Sequence, residues 1–108
     1  MGLWEERLAR NEAVFRAVNE RVEDLSESGV DDPIAFVCEC GHADCTQEVL
    51  LTRGEYEALR SSPVTFAVAH GHEIPAIETV VSRTERYAVV EKDPGQRGVA
   101  RERDPRSA

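Results

Sequence analysis

Apolar side chains recur at helical spacing along the first quarter of the chain. Between residues 3 and 28 the intervals alternate between four and three residues, which is the period of one face of an α-helix. The members of this stripe are Trp4, Leu8, Asn11, Phe15, Val18, Val22 and Leu25. The pattern therefore predicts one long N-terminal helix over residues 3–28, which ends before Gly29 and Pro33.

This stripe has two interpretations. It can pack against a sheet of the same domain, or it can bind an unidentified protein partner or a second copy of the chain. In the second case Asn11, the polar member of the stripe, would fix the register of the two helices. Both interpretations stay open, and a homodimer through helix 3–28 is one expectation.

Beyond Pro33 the apolar positions come in short runs that are typical of β-strands. Strands are predicted at residues 34–38, 46–52, 64–69, 76–83 and 86–92. A capping box of Thr52 and Glu55 starts a short helix at residues 55–60. The order α-β-β-α-β-β-β predicts an α+β fold, in which the long helix packs on a small, mostly antiparallel sheet. Residues 1–92 would form one zinc-binding domain, and the polar residues 93–108 a disordered tail.

The three cysteines of the chain lie in the loop between the first two predicted strands. Cys38, Cys40 and Cys45 follow a C-x-C-x4-C spacing, which allows three thiolates to meet at one point. Zinc takes such ligands in a tetrahedral arrangement, so the loop is predicted to be a zinc knuckle. The alternatives are three unligated thiols, or a Cys38–Cys45 disulfide that leaves Cys40 free. A metal would also add stability to a chain of 108 residues, whose core is small.

A tetrahedral zinc site needs a fourth ligand, and three histidines are available. His42 lies inside the tight knuckle, where we expect its side chain to point to solvent. His72 is the favoured ligand, because Glu73 follows it and could accept a hydrogen bond that orients the imidazole. His70 is the alternative fourth ligand.

Composition narrows the choice of partners and compartment. The formal net charge of −8 argues against binding to nucleic acid, and no apolar run is long enough to span a membrane. The early acidic residues do not resemble a secretory signal, so we expect a cytoplasmic protein. In that compartment thiols stay reduced, and clustered cysteines more often bind metal than form disulfides.

The known catalytic and cofactor-binding motifs do not match this sequence. It lacks the H-E-x-x-H pattern, phosphate-binding loops and dinucleotide fingerprints, so no catalytic or cofactor-binding residue is predicted. The favoured hypothesis is a non-enzymatic protein with a structural Cys3His zinc site that acts by protein–protein interaction. A thiol-based redox or metal sensor is the first alternative. The second is a small zinc hydrolase with Glu73 or Glu39 as the base.

Several sequence blocks also carry a resemblance. The blocks lie at residues 11–20, 36–45, 55–60, 66–73 and 80–92. In this order they resemble a group of small uncharacterised bacterial proteins with a C-x-C-x4-C knuckle and a downstream Gly-His-Glu block. The resemblance implies a shared fold, and it favours His72 over His70 as the functional histidine. It implies no particular activity.

Overall fold

A computed structural model of the chain describes residues 3–106. The helices are α1 (Leu3–Leu25), α2 (Arg53–Leu59) and α3 (Gly98–Glu102), with a 3-10 turn at Pro94–Gln96 before α3. The strands are β1 (Ile34–Val37), β2 (Glu48–Leu51), β3 (Thr65–Val68), β4 (Glu78–Arg83) and β5 (Ala88–Lys92). No helix within this range combines the length and the apolar character that a membrane-spanning segment needs.

The strands of residues 3–106 form two antiparallel sheets. β1 and β2 make a hairpin in which Phe36 lies opposite Val49, and the other sheet has the order β3-β5-β4. The chain that follows β1 runs along the free edge of β3, where the Glu39 backbone N–H donates to the Ala67 carbonyl at 2.9 Å. The predicted α+β class and element order are therefore confirmed, with two small sheets where the sequence suggested one.

The apolar core lies between the two sheets and α2. Phe36 and Tyr56 stack with their ring centroids 4.4 Å apart, and both side chains are buried. The predicted capping box places α2 on this core, because the Glu55 backbone N–H donates to Thr52 Oγ1 and the Thr52 N–H to the Glu55 carboxylate. These contacts set where β2 ends and α2 begins.

The buried face of α1 differs from the apolar stripe in the sequence. Its buried residues are Leu8, Glu12, Arg16, Asn19 and Glu23. Of the predicted stripe, only Leu8 is buried, whereas Trp4, Val18 and Leu25 are 53%, 41% and 70% exposed. The helix also ends at Leu25, three residues before the predicted boundary. The physical reason is that the surface beneath α1 carries charged groups and backbone polar groups. The polar side chains of α1 form hydrogen bonds and ion pairs with these groups.

Two ion-pair groups occupy the interior beneath α1. Lys92 lies with its Nζ 2.6 Å from the Glu12 carboxylate and 2.9 Å from Glu78, and all three side chains are buried. Arg16 pairs with Glu39, and its guanidinium carbon lies 4.1 Å from the centroid of the Phe66 ring. Polar contacts of defined geometry therefore hold α1 in place.

The C-terminal residues differ from the expectation of a disordered tail at 93–108. The 3-10 turn and α3 follow β5, and ion pairs tie the chain after α3 to the body of the protein. Asp104 pairs with Arg60, and Arg106 Nε lies 2.6 Å from Glu20 Oε1. The segment has few apolar side chains, so charge pairing holds it where burial would not. The last two residues of the predicted tail lie outside the described part of the chain.

Candidate metal centre

The cysteine loop is a continuation of the β1–β2 hairpin. The Cys38 backbone N–H donates to the Gln47 carbonyl at 2.9 Å, one step beyond the last residue of β1. The chain then turns, and the Cys45 N–H donates to the His42 carbonyl at 3.1 Å. The turn brings Cys45 back towards the end of β1, where Cys38 and Cys40 lie.

A second turn places His72 beside this loop. The His72 backbone N–H donates to the carbonyl of Ala69, just beyond β3, at 3.0 Å. Gly71 lies within the turn at a φ of 82°, in the left-handed region that glycine adopts without steric cost. Because β3 runs beside the cysteine segment, the turn directs His72 towards the thiols.

The structure brings together four of the residues singled out in the sequence. Sγ of Cys38, Cys40 and Cys45 and a ring nitrogen of His72 all lie within 4.8 Å of one another. Nδ1 of His72 is 3.6 Å from Sγ of Cys38 and 3.6 Å from Sγ of Cys45. This arrangement is compatible with a bound metal ion. His42 and His70 are exposed and are not part of the group.

The cluster has a buried side and a half-buried side. Cys38 and Cys40 are 2% and 0% exposed, whereas Cys45 and His72 are half-buried. A hydrogen bond from the Cys40 thiol and one from the Ala69 backbone N–H hold the pKa of Cys38 below its ordinary value, although burial opposes them. The bond to Cys38, together with burial, raises the pKa of Cys40. Cys38 therefore loses its proton at a lower pH than Cys40 does.

Glu73, which follows His72, pairs with an arginine. Its carboxylate lies 3.3 Å from Nη2 of Arg83, on β4. Hydrogen bonds from its own backbone N–H and from Arg83 lower the pKa of Glu73, so the carboxylate is charged. The expected hydrogen bond between Glu73 and the His72 ring stays a prediction.

A buried carboxylate between two of the cysteines was not recognised as structural from the sequence. Glu39 is 0% exposed and accepts bonds from Nε and Nη2 of Arg16 at 3.0 and 2.9 Å. It also accepts from Nδ2 of Asn19 at 2.9 Å and from the backbone N–H of Ala67 at 3.0 Å. Burial lowers the pKa of Arg16, but the Glu39 carboxylate outweighs it and leaves this pKa above the ordinary value. Both side chains of the pair therefore have several hydrogen-bond partners in the interior.

Gly41 gives α1 a second close contact with the loop. Its carbonyl accepts a hydrogen bond from Nδ2 of Asn11 at 2.8 Å. A Cβ at this position would lie 2.8 Å from Cδ2 of Leu8 and 2.9 Å from its backbone oxygen. The sequence favours glycine here because of the turn, whereas the structure shows that the need is for space against α1. Leu8 and Asn11, eight and five residues before Arg16, carry no sequence signal for such a contact.

Comparison with other proteins adds no further constraint on this site. No protein family, no curated protein and no solved structure matches the chain. The resemblance to small bacterial proteins therefore stays a prediction, and the site is interpreted from its own geometry.

Proposed function

We propose that the chain is a small non-enzymatic protein in which Cys38, Cys40, Cys45 and His72 bind one structural Zn²⁺ ion. The observation that carries the proposal is the 3.6 Å separation of His72 Nδ1 from two of the sulfurs. A tetrahedral zinc ion with Zn–S bonds of about 2.3 Å and a Zn–N bond of about 2.0 Å holds sulfur and nitrogen about 3.5 Å apart. His72 Nδ1 therefore lies from Sγ of Cys38 and from Sγ of Cys45 at close to the separation that zinc requires.

The ligand set also supports zinc over other metals and a structural role over a catalytic one. Three thiolates and one imidazole are the soft and borderline ligands that zinc takes in structural sites. A catalytic zinc keeps one position open for water, whereas four protein ligands fill the tetrahedron. The hydrolase hypothesis is therefore the least supported of the three. A reducing compartment such as the cytosol would keep the thiols available for the metal.

We further propose that the zinc-stabilised domain acts through protein contact on α1. The solvent side of this helix carries several large apolar side chains that the domain does not cover. Trp4, Val14, Val18 and Leu25 are 53%, 58%, 41% and 70% exposed. Apolar side chains on the outer side of a long helix are a common basis for helix-mediated association with a partner or with a second copy.

A thiol-based sensor is the second candidate function, and one observation favours it. Cys45 and His72 are half-buried, so one side of the cluster is open to small reagents. Oxidation of two thiols to a disulfide would remove ligands and release the metal. In a purely structural site we expect slow reaction of Cys45 with thiol reagents, and in a sensor we expect fast reaction.

Native mass spectrometry beside a denatured spectrum tests the zinc proposal. We expect one zinc ion per chain, and three thiols that become reactive only after chelation. The histidines provide a matched pair of variants, because His72 belongs to the cluster and His70 is exposed nearby. His72→Ala should weaken zinc binding at least tenfold, whereas His70→Ala should bind zinc like the natural sequence. Absence of bound metal, or equal loss in both variants, would contradict the proposed ligand set.

A further inference from the structure

The segment between β1 and the cysteine loop has two faces that serve different elements. The side chains of Cys38 and Cys40 belong to the metal cluster. The residues that alternate with them, Val37, Glu39 and Gly41, bond to α1. Alternation of this kind follows from an extended backbone, in which successive residues point to opposite sides. One segment of five residues is therefore held by the metal ligands on one side and by the helix on the other.

The contacts on the helix side are specific and hold both backbone and side chains. Oδ1 of Asn19 accepts from the Val37 backbone N–H at 2.8 Å, and Nδ2 of Asn19 donates to the Val37 carbonyl at 2.9 Å. Arg16 and Asn19 both donate to the Glu39 carboxylate, and Asn11 donates to the Gly41 carbonyl. Each of these bonds depends on where the backbone of the segment lies.

The buried pair of Arg16 and Glu39 makes the docking of α1 sensitive to that backbone. Taking two charges out of water is costly, and the attraction between them repays the cost only when the geometry is good and the remaining groups are bonded. The Glu39 carboxylate meets these conditions through its bonds to Arg16, Asn19 and Ala67. A displaced Glu39 would lose them, and the two charged groups would then favour water over the interior.

We propose that metal occupancy at the cluster and docking of α1 are coupled through the segment Val37–Gly41, with Glu39 as the positioning residue that links them. The inference rests on the proposed metal site. When zinc leaves, Cys38 and Cys40 lose their common anchor and the segment relaxes. The bonds from Arg16, Asn19 and Asn11 then weaken together, and α1 opens from the domain. Coupling between two such events is reciprocal, so disruption of the helix contacts weakens the metal site by the same factor.

The coupling would give the chain a metal-responsive interaction element. Release of α1 uncovers Leu8 and the charged groups of its inner face, which the docked helix keeps from solvent. A partner that binds only the released helix would then recognise the metal-free protein. A partner on the outer apolar side would bind in both states, so the two modes are distinguishable by zinc titration.

Hydrogen–deuterium exchange of the full chain, with zinc and after chelation, tests the coupling. We expect chelation to speed exchange in α1 (Leu3–Leu25) at least tenfold more than in α2 (Arg53–Leu59), which the capping box and the Phe36–Tyr56 stack hold on the core. Equal acceleration in both helices would indicate global unfolding and would overturn the coupling. Unchanged exchange in α1 after metal loss would overturn it as well.

The reciprocal effect, in which the contacts of α1 influence zinc binding, is tested by the zinc affinity of variants that lack one of these contacts. Competition with a chromophoric chelator measures this affinity. Glu39→Gln keeps the size of the side chain but removes its charge, and Asn11→Ala removes only the bond to Gly41. Neither residue is in the metal cluster. A coupling of ordinary strength changes affinity between about 5-fold and 150-fold, so we expect a rise of that order in the zinc dissociation constant for Glu39→Gln and a smaller rise for Asn11→Ala.

Val90→Ala is the matched control for a general loss of stability. Val90 is fully buried in β5 and lies outside the segment that joins the metal to the helix. We expect Val90→Ala to keep the zinc affinity of the natural sequence. If it weakens zinc as much as Glu39→Gln does, or if Glu39→Gln binds zinc unchanged, the coupling is wrong. A natural chain that binds no zinc contradicts the proposed metal site itself, so the two failures are distinguishable.

Discussion

The buried carboxylate of Glu12 provides the sharpest test of how the interior beneath α1 is built. Lys92 Nζ lies 2.6 Å from this carboxylate and 2.9 Å from that of Glu78, so one ammonium group serves two acids. The three side chains are between 0% and 1% exposed. Burial raises the pKa of Glu12 to about 8, Lys92 opposes the rise, and Glu78 adds to it. We predict that Glu12→Gln alters the pH dependence of stability in a defined direction.

The direction in which the free energy of unfolding changes with pH follows from the pKa values of Glu12 in the folded and the unfolded chain. The pKa in the folded protein is about 8 and the ordinary value is 4.5, so the folded state retains a proton that the unfolded chain releases. This contribution to the free energy of unfolding is complete below pH 4.5 and is lost as the pH rises through about 8. One pH unit corresponds to about 1.4 kcal/mol, so the loss between pH 5 and pH 7 is about 2–3 kcal/mol. A glutamine resembles the protonated acid and does not titrate.

Urea unfolding of the natural sequence and of Glu12→Gln at pH 5, 7 and 9, at one zinc concentration, measures how the free energy of unfolding of each protein depends on pH. The titration of the thiols affects both proteins alike, so it cancels when one curve is subtracted from the other. We expect Glu12→Gln to gain about 2–3 kcal/mol relative to the natural sequence between pH 5 and pH 7. Glu48→Gln, which changes an exposed carboxylate on β2, controls for the loss of one negative charge. Parallel curves for Glu12→Gln and the natural sequence would refute the reasoning.

Two further changes test the contacts of α1. Gly41→Ala places a Cβ 2.8 Å from Leu8 Cδ2, and we expect it to destabilise the fold by about 1–3 kcal/mol in thermal unfolding. Gly54→Ala, whose Cβ has its nearest neighbour at 3.9 Å, should show no such loss, and equal effects would contradict the close contact. The double variant Val14→Glu and Val18→Glu alters only exposed positions, so it should keep the fold while it converts a dimer through α1 into a monomer in sedimentation. A monomeric natural sequence would rule out the homodimer.

The sequence was informative about the metal cluster because ligand chemistry is local. Cys38, Cys40 and Cys45 lie within eight residues, so a turn of the backbone suffices to bring their sulfurs together. The choice of His72 over His70 was based on the Glu73 that follows it and on the resemblance. In the structure, a turn after β3 that Gly71 allows brings His72 to the cysteines. The structure groups His72 with the cysteines and leaves His70 exposed.

The order of the helices and strands up to Lys92 was also predicted from the sequence. Alternating apolar runs predict strands wherever one face is buried, and the capping box of Thr52 and Glu55 marks the start of α2 without reference to the rest of the fold. The ordered turn and helix after Lys92 were not predicted, because composition reports apolar burial. Arg106 and Asp104 are instead held by acids and a base that lie more than 40 residues away.

The sequence by itself determined the local features of this protein: the ligand types, the turns that gather them and the periodicity of each element. Only the tertiary structure decided which face of α1 is buried, because that depends on what the helix meets. The apolar stripe through Phe15 and Val18 predicts burial, yet Arg16 and Asn19 lie inward, since Glu39 and the edge of β1 offer them partners. Hydrophobic periodicity detects apolar burial, and it cannot detect a charge whose partner lies 23 residues further along the chain.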